Sequence, residues 1–322
     1  MTNFQVYRKT LVFSFVMFLV GLIQLAILAG TTSAGFFLMN QTNDMALLGM
    51  AFGFIIGVIL VILIKIFVNN RIQAGQIAMM VKGVTEDSLP DHTFKAGLEE
   101  IKGRFGKITA FFFITNAIKG IFRQIGRAIN RVGTAIGGKA GDTVTSAIDS
   151  AIQILIGYLC DCCLGWIIYR KDESAAKAGC EGAVIFFKHG KTLIRNIGRI
   201  FGMGFLSLLV IGGAFFGIFY LVFSNLPQMF VTLANEITEA ATRAGANLPD
   251  VMSDPQMLML IIAGVGGVIL WSMIHSVLIR PFILVGVMRN FMAAGIEDKP
   301  SEKDFAALDS KSTKFAKLHN SI

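Results

Sequence analysis

The sequence predicts an all-α fold: a polytopic bundle of transmembrane helices with five to six spans, plus amphipathic interfacial helices. Composition is the first observation, because 54% of the 322 residues are hydrophobic and only 16% are charged, whereas a soluble domain carries about 25% charged residues. The mean hydropathy of +0.66 agrees with this. Second, several apolar runs reach the roughly 20 residues that a helix needs to cross a bilayer. Third, lysine and arginine concentrate in alternate connecting segments.

Five apolar runs are long enough to be spans. They cover about 11–30, 45–68, 147–169, 200–224 and 256–288. The first run follows Arg8 and Lys9 and is longer than the apolar region of a signal peptide, so we expect an uncleaved anchor. The run at 105–123 is a sixth candidate; it is shorter, contains Lys119, and could equally be re-entrant or interfacial. The whole chain, 1–322, then forms one integral membrane domain.

The charges of the connecting segments predict the orientation of these spans. The basic parts are the N-terminus, a link at 69–104, the segment 170–199 and a tail at 296–322, whereas the loops at 31–44 and 225–255 carry one arginine between them. We therefore expect both termini in the cytoplasm and those two loops outside. Six spans would require 124–146 to face outward despite its three cations. Short loops favour a bacterial inner membrane.

A cationic stripe is predicted next to the sixth candidate span. Lys119, Arg123, Arg127 and Arg131 recur every four residues, and apolar residues such as Ile118 occupy the opposite side. This spacing is typical of an amphipathic helix. Its cations could reach lipid phosphates, line a water-filled pathway or anion site, or contact an acidic partner.

Three polar residues inside predicted spans are candidates for a substrate pathway. Asp161 lies within IGYLCDCCLGWIIY, where a charge costs several kcal/mol unless it is paired or hydrated. Its alternative role is a structural pair, for example with Lys119. Trp271 and His275 share one helical face, so they could contact a substrate cation or carry a proton, or they could simply pack in the bundle. The Arg280-Pro281 step predicts a kink or break in the same helix.

Glycines predict close helix packing. Gly49, Gly53 and Gly57 recur every four residues in the second span, an arrangement that lets another helix approach within or between subunits. A homo-oligomer is therefore an open alternative. The sequence shows no convincing internal repeat.

Enzyme, metal and cofactor signatures are missing from the pattern. The four cysteines, Cys160, Cys162, Cys163 and Cys180, lack the separated pairs of a zinc site, so we expect reduced, buried thiols. The four histidines do not cluster, and no nucleotide-binding or hydrolase motif is present. We therefore expect a protein that is not an enzyme, without metal or cofactor, and with the lipid bilayer rather than nucleic acid as its surroundings.

One stretch resembles a known family. YLCDCCLGWIIYRKDESAAKAGCEGAVIFFKHGKTLIRNIGRIFGMGFLSLLVIGG resembles the C-terminal half of the choline transporter-like proteins, in which a helix with a CC pair precedes an amphipathic segment, an Arg-Asn pair and a span. Here these are Cys162 and Cys163, Arg195 and Asn196, and 200–213. The resemblance covers about 88–315.

This resemblance implies a small multi-pass transport protein that passes a small, cationic solute. Two alternatives stay open. One is an oligomeric ion channel or pore, and the other is a membrane scaffold that docks on anionic lipid or on a partner complex. In each case anionic lipids at the cytoplasmic face are expected contacts of the basic helices.

Overall fold

The structure is a computed structural model, and it describes residues 1–40, 46–104, 106, 115, 118–121, 123, 141–189, 197–243 and 249–321. Over these ranges the regular elements are helices, so the all-α prediction is confirmed for them. In chain order they are α1 (Asn3–Asn40), α2 (Ala46–Ile64), π1 (Lys65–Asn69), α3 (Asn70–Thr85), α4 (Thr93–Lys102), α5 (Gly141–Tyr169), α6 (Ala175–Lys188), α7 (Ile197–Ser207), π2 (Leu208–Gly212), α8 (Gly213–Ser224), α9 (Pro227–Arg243), α10 (Asp250–Ser253), α11 (Pro255–Ile274), π3 (His275–Ile279), α12 (Arg280–Glu297), α13 (Glu302–Asp309) and α14 (Thr313–His319).

Within the described residues, four helical stretches are long and apolar enough to cross a membrane. They are Asn3–Met39, Leu48–Thr85, Gly202–Ser224 and Pro255–Glu297. Large apolar side chains on them point outward; Phe52 is 59% exposed and Leu209 is 58% exposed. Such surface is stable against acyl chains and unfavourable in water. The chain is therefore a membrane protein, but the predicted count of five to six spans is not confirmed.

Protein burial accounts for the hydropathy of the run predicted as a span at 147–169. The apolar part of α5, Gln153–Tyr169, is shorter than the four stretches named above. Residues along it such as Cys163 and Trp166 are almost fully buried. Gly165 lies against Met288 of α12 and Val81 of α3. Periodicity alone cannot distinguish a helix covered by protein from one covered by lipid. The candidate span at 105–123 lies mostly outside the described residues.

The chain divides into two compact units. Unit 1 comprises Met1–Gly198 and Pro281–Ile322, and unit 2 comprises Arg199–Arg280. In unit 1 the core forms between the first turns of α1 and helices α3 to α6 and α12 to α14. Phe13 of α1 is fully buried and contacts Phe94 with ring centroids 4.9 Å apart. It fits because Gly97 has no side chain: a Cβ there would lie 2.5 Å from Cζ of Phe13.

Segments that are distant in sequence join within unit 1. The N-terminal amine pairs with Asp87, a residue in the left-handed backbone region with φ of 52°. Arg289 donates to Asn3 Oδ1 and to the Met1 carbonyl, each at 2.6 Å. Lys188 at the end of α6 donates to Asp298 at 2.8 Å, just after α12. The basic N-terminus, the link after π1, α6 and the tail therefore belong to one unit.

Unit 2 contains the stretch Gly202–Ser224 and the first part of the stretch Pro255–Glu297. Helices π2 and α8 pack along α11, and α9 covers the start of α11 through Phe230, Ala234 and Leu258. Helix α11 begins where Asp254 accepts a hydrogen bond from the Gln256 amide at 2.8 Å and Pro255 occupies the first turn, which is a favourable N-cap arrangement. The segment predicted as an outer loop, 225–255, is thus largely helical.

A π-helix stands where the sequence predicts a kink or break. The Arg280 amide donates to the His275 carbonyl, five residues back, and the helix continues from Pro255 to Glu297. Proline offers no amide, and its ring crowds the carbonyl one turn earlier. A locally wider turn relieves this crowding without ending the helix.

Candidate functional site

The polar cluster of unit 2 is the best candidate for a functional site. It consists of Ser207, Trp271 and His275, and each of these residues borders or begins a π-helix or lies one turn from it. π-Helical turns leave backbone groups imperfectly paired and often occur at functional sites. Polar side chains inside a membrane-spanning helix cost free energy because they lose hydration. Two helices that only pack against each other do not need three such side chains in contact.

The hydroxyl of Ser207 connects the two helices. Ser207 is 8% exposed, and its Oγ donates to the Gly204 carbonyl at 2.7 Å. The same Oγ accepts a hydrogen bond from Trp271 Nε1 at 3.0 Å. A serine that bonds the preceding turn is common in membrane helices, and its remaining lone pair can serve a partner. Ser207 therefore fixes the indole of Trp271 against α7.

Trp271 and His275 stack along one face of the other helix. Their ring centroids are 5.2 Å apart, with an interplanar angle of 43°. A Cβ on Gly204 would lie 3.8 Å from His275 Nε2, so the imidazole edge faces a position without a side chain. His275 is only partly buried. The arrangement presents an aromatic face, a titratable ring and a hydroxyl within one small region.

Sequence reasoning predicted Trp271 and His275 and missed Ser207. The i, i+4 spacing identifies residues on one helix face, but it carries no information about which residue of another helix approaches them. A small polar residue in an otherwise apolar span, SLLVIGG, is the signal that could have indicated Ser207.

Asp161 belongs to unit 1 and has a structural partner there. It is 5% exposed, and its Oδ1 accepts a hydrogen bond from Gln73 Nε2 of α3 at 2.7 Å. The partner of Asp161 in this hydrogen bond is therefore the side-chain amide of Gln73, from the link 69–104, and not the predicted Lys119. The structure does not place Asp161 with Trp271 and His275 in one unit. Its role in a substrate pathway stays a prediction.

The described part of the cationic stripe lies on the surface of unit 1. Lys119 is partly buried and Arg123 is exposed, while Ile118 and Ile121 are fully buried. Arg127 and Arg131 lie outside the described residues. On the described turn, the apolar side thus faces the protein core rather than lipid.

The glycines predicted to pack are at the contact between α1 and α2. A Cβ on Gly49 would overlap the carbonyl oxygen of Gly35, and one on Gly53 would overlap that of Thr31. Gly57 lies against the Thr31 side chain. These glycines let the two backbones approach closely within one chain.

The four cysteines are buried, and none of them forms a disulfide. Burial, with the carboxylates of Asp309 and Glu181 nearby, raises the pKa of Cys180 to about 12, so its thiol is protonated and poorly nucleophilic at neutral pH. Within the described residues, no group of three or more His, Cys, Asp and Glu side chains could hold a metal ion.

A cleft of about 650 Å³ lies at the start of α11 in unit 2. Apolar side chains dominate its lining, with Tyr220 and Phe230 as aromatic groups and Asp254 as the carboxylate. Asp254 already caps α11 through the Gln256 amide. This cleft could not be predicted from the sequence, because its walls come from the ends of three helices and only the fold brings those ends together.

No family model, no curated protein and no solved structure matches this chain. The resemblance to choline transporter-like proteins therefore stays a prediction from residues 88–315.

Proposed function

We propose that this protein passes a small solute across the bilayer and that Ser207, Trp271 and His275 contact the solute. The observation that supports this proposal most is the hydrogen-bonded polar cluster beside two π-helices, on helices whose exposed side chains are mostly apolar. Intramembrane polar groups that serve only packing are usually fully buried, whereas His275 keeps exposed surface. An indole face also suits a cationic solute.

Each member of the cluster has a distinct role in this proposal. The Trp271 ring provides an apolar, electron-rich wall, and Ser207 holds the orientation of that ring. His275 provides nitrogen atoms that can donate or accept a hydrogen bond. Asp161 is left out, since a core amide already binds it.

An oligomeric channel is the second candidate, and one observation favours it. Among the described atoms, nothing lies within 4 Å of a Cβ built on Gly213, Gly217 or Gly264. The two spanning stretches that carry the cluster, Gly202–Ser224 and Pro255–Glu297, cannot enclose a path alone. Glycine positions with open space beside them allow a second copy of the chain to pack closely.

Flux into proteoliposomes tests the proposal, with radiolabelled choline as the probe for small organic cations. Wild-type protein should give saturable uptake above empty vesicles, and Trp271→Ala, His275→Ala and Ser207→Ala should each lower uptake at least severalfold. Ser276→Ala is the matched control, because its exposed hydroxyl donates to the Met273 carbonyl of its own helix at 2.8 Å. Normal uptake by all three variants would remove these residues from the path. A wild-type protein that passes neither choline nor small inorganic ions would remove transport itself.

We further propose that the basic segments of the chain, namely the N-terminus, 69–104, 170–199 and the tail, face the cytoplasm, as the charge pattern predicts. With four spans, the basic segment 124–146 no longer has to face outward. Single cysteines at Thr134 and Ala140, on a background without the four native thiols, should resist an impermeant maleimide added to intact cells and react after permeabilisation. Labelling from outside would contradict this orientation.

A further inference from the structure

Two segments of unit 1, at 101–141 and 310–322, are basic and contain no acidic residue. Residues 101–141 carry eight lysines and arginines and no aspartate or glutamate. Residues 310–322 carry three lysines and again no acid. A solvated surface normally intersperses both signs, since like charges repel. Acid-free stretches with fewer cations also occur elsewhere, such as 182–235 with four, so the eight cations of 101–141 are the largest such group in the chain.

The fold of unit 1 brings these two segments into contact. The side chain of Lys314 in α14 crosses the helical turn 118–121: a Cβ on Gly120 would lie 3.2 Å from its Cδ and 3.1 Å from its Nζ. Lys119 directly precedes that glycine, and Arg123 follows one turn later on the same side. Lys314 thus lies against the turn that carries Lys119 and leads to Arg123, although it is nearly 200 residues away in sequence. We name these three residues the Lys314 patch: Lys119, Arg123 and Lys314.

Packed elements support both sides of the Lys314 patch. Ile118 is fully buried and lies beside Gly179 of α6. On the other side, Phe315 is fully buried, and His319 Nδ1 lies 2.9 Å from Asp309 Oδ2, which ties the end of α14 to α13. The three cations are therefore attached to helical turns that pack in the core of unit 1. Ordered placement lowers the entropy that a bound anion must offset.

Other lysines on the surface of unit 1 have acidic neighbours. Lys171 lies 3.4 Å from Glu100, and Lys177 lies 3.0 Å from Glu173. Lys95 has Glu99 at 4.0 Å. These pairs make most of the surface electrically mixed. The Lys314 patch is built from two segments that carry no acidic residue of their own.

We propose that the Lys314 patch binds the phosphate of an anionic phospholipid headgroup in the bilayer that holds this protein. A phosphate oxygen set is the natural partner of clustered Lys and Arg. The lipid source is favoured because the same unit contains α1 and α2, whose lipid-exposed side chains keep the unit at a membrane surface. Tethering gives a headgroup a far higher effective concentration than a soluble anion. This inference is independent of solute transport.

Lipid retention by the purified full-length protein tests the proposal. The protein is equilibrated in mixed micelles with equal amounts of phosphatidylglycerol and phosphatidylcholine, captured and washed, and its retained lipids are quantified by mass spectrometry. The test variant carries Lys119→Gln, Arg123→Gln and Lys314→Gln. The control carries Lys95→Gln, Lys171→Gln and Lys177→Gln, which removes the same charge from lysines that have glutamate neighbours.

We expect wild type and control to retain phosphatidylglycerol preferentially and the test variant to lose that preference by at least tenfold, since each cation near an anionic lipid contributes about fivefold. Raising the salt to 1 M should abolish the preference of the wild type. The exposed single variants Arg123→Gln and Lys314→Gln, each expected to lose about fivefold, replace the triple variant if it does not elute as a single species. Full retention by the test variant, or equal loss in both triple variants, would overturn the proposal. So would patch-dependent binding of a soluble acidic peptide by a protein that shows no lipid preference.

Discussion

The hydrogen bond from Gln73 to Asp161 provides the sharpest test of unit 1. Asp161 is 5% exposed, and the amide donates to it at 2.7 Å. Replacing Gln73 by leucine removes one donor to a buried carboxylate while keeping a side chain of similar size. A hydrogen bond to a charged group contributes about 1.5–3 kcal/mol. For a unit of this size, each kcal/mol changes the melting temperature by about 2–4 °C. We therefore expect Gln73→Leu to lower it by roughly 3–12 °C.

The assay is thermal unfolding of purified protein in mild detergent, followed by intrinsic fluorescence. Gln153→Leu is the matched control, because Gln153 lies exposed on the same helix as Asp161; its melting temperature should stay within about 1 °C of wild type, as for most surface changes. The double variant Gln73→Leu with Asp161→Leu should be less destabilised than the two single variants added together, since neither group is then left unpaired.

Two outcomes would refute this reasoning. An unchanged melting temperature in Gln73→Leu would mean that the carboxylate does not depend on this bond. A variant that keeps its stability but loses solute flux would instead assign Asp161 to the substrate pathway, as the sequence pattern predicts. The experiment therefore separates the structural role of Asp161 from its predicted functional role.

Two further predictions concern packing and charge. Gly49→Ala should lower the melting temperature by several degrees, because its Cβ would overlap a carbonyl of α1, whereas Gly30→Ala, with no described atom within 4 Å, should leave it equal or higher. The Ser301 amide and hydroxyl, with a lysine of α6, lower the pKa of Asp304 to about 2 from its ordinary 3.8. Asp304 therefore stabilises the fold above pH 4, and the difference in melting temperature between wild type and Asp304→Asn should shrink as the pH falls from 5 to 2.5; a constant difference, or the same trend in Glu302→Gln, would contradict this.

Hydropathy predicted the lipid-exposed parts of the four spanning stretches but not their full length. The apolar run at 11–30 lies inside α1, which begins at Asn3 and ends at Asn40. Its first turns leave the apolar pattern because they pack in unit 1, where Thr10 and Ser14 are fully buried and Gln76 of α3 donates to the Ser14 hydroxyl at 2.7 Å. A polar residue that makes its hydrogen bond with another helix cannot be distinguished, from the sequence alone, from a polar residue that faces solvent.

The run at 147–169, which the structure does not confirm as a span, has a related explanation. Helix α5 contains IGYLCDCCLGWIIY, which is as apolar as a span. Its Trp166, however, donates to Glu181 of α6 at 2.8 Å, and Arg170 donates to the same carboxylate at 3.2 Å. These bonds between helices are long-range contacts, which no single-sequence pattern specifies. The glycine positions were predictable because backbone approach needs a small residue on both helices, although Thr31 as their neighbour was not.

The π-helices show a correspondence that the sequence analysis did not detect. Lys65–Asn69 and His275–Ile279 are 210 residues apart. Each follows an apolar span and leads into a helix, α3 or α12, with a Glu-Asp pair at or directly after its end. Pro90 or Pro300 comes next, and then a short helix that contains Phe94 or Phe305.

This correspondence bears on the origin of π3. Pro281 cannot be the whole cause of it, since Asn70 and Arg71 occupy the matching positions after π1 and neither is a proline. Each of these two π-helices also begins at an ionisable residue, Lys65 in one and His275 in the other. An ionisable first residue therefore accompanies both of these π-helices, whereas proline accompanies only one of them. A functional role for His275 stays a prediction, which the flux of His275→Ala tests.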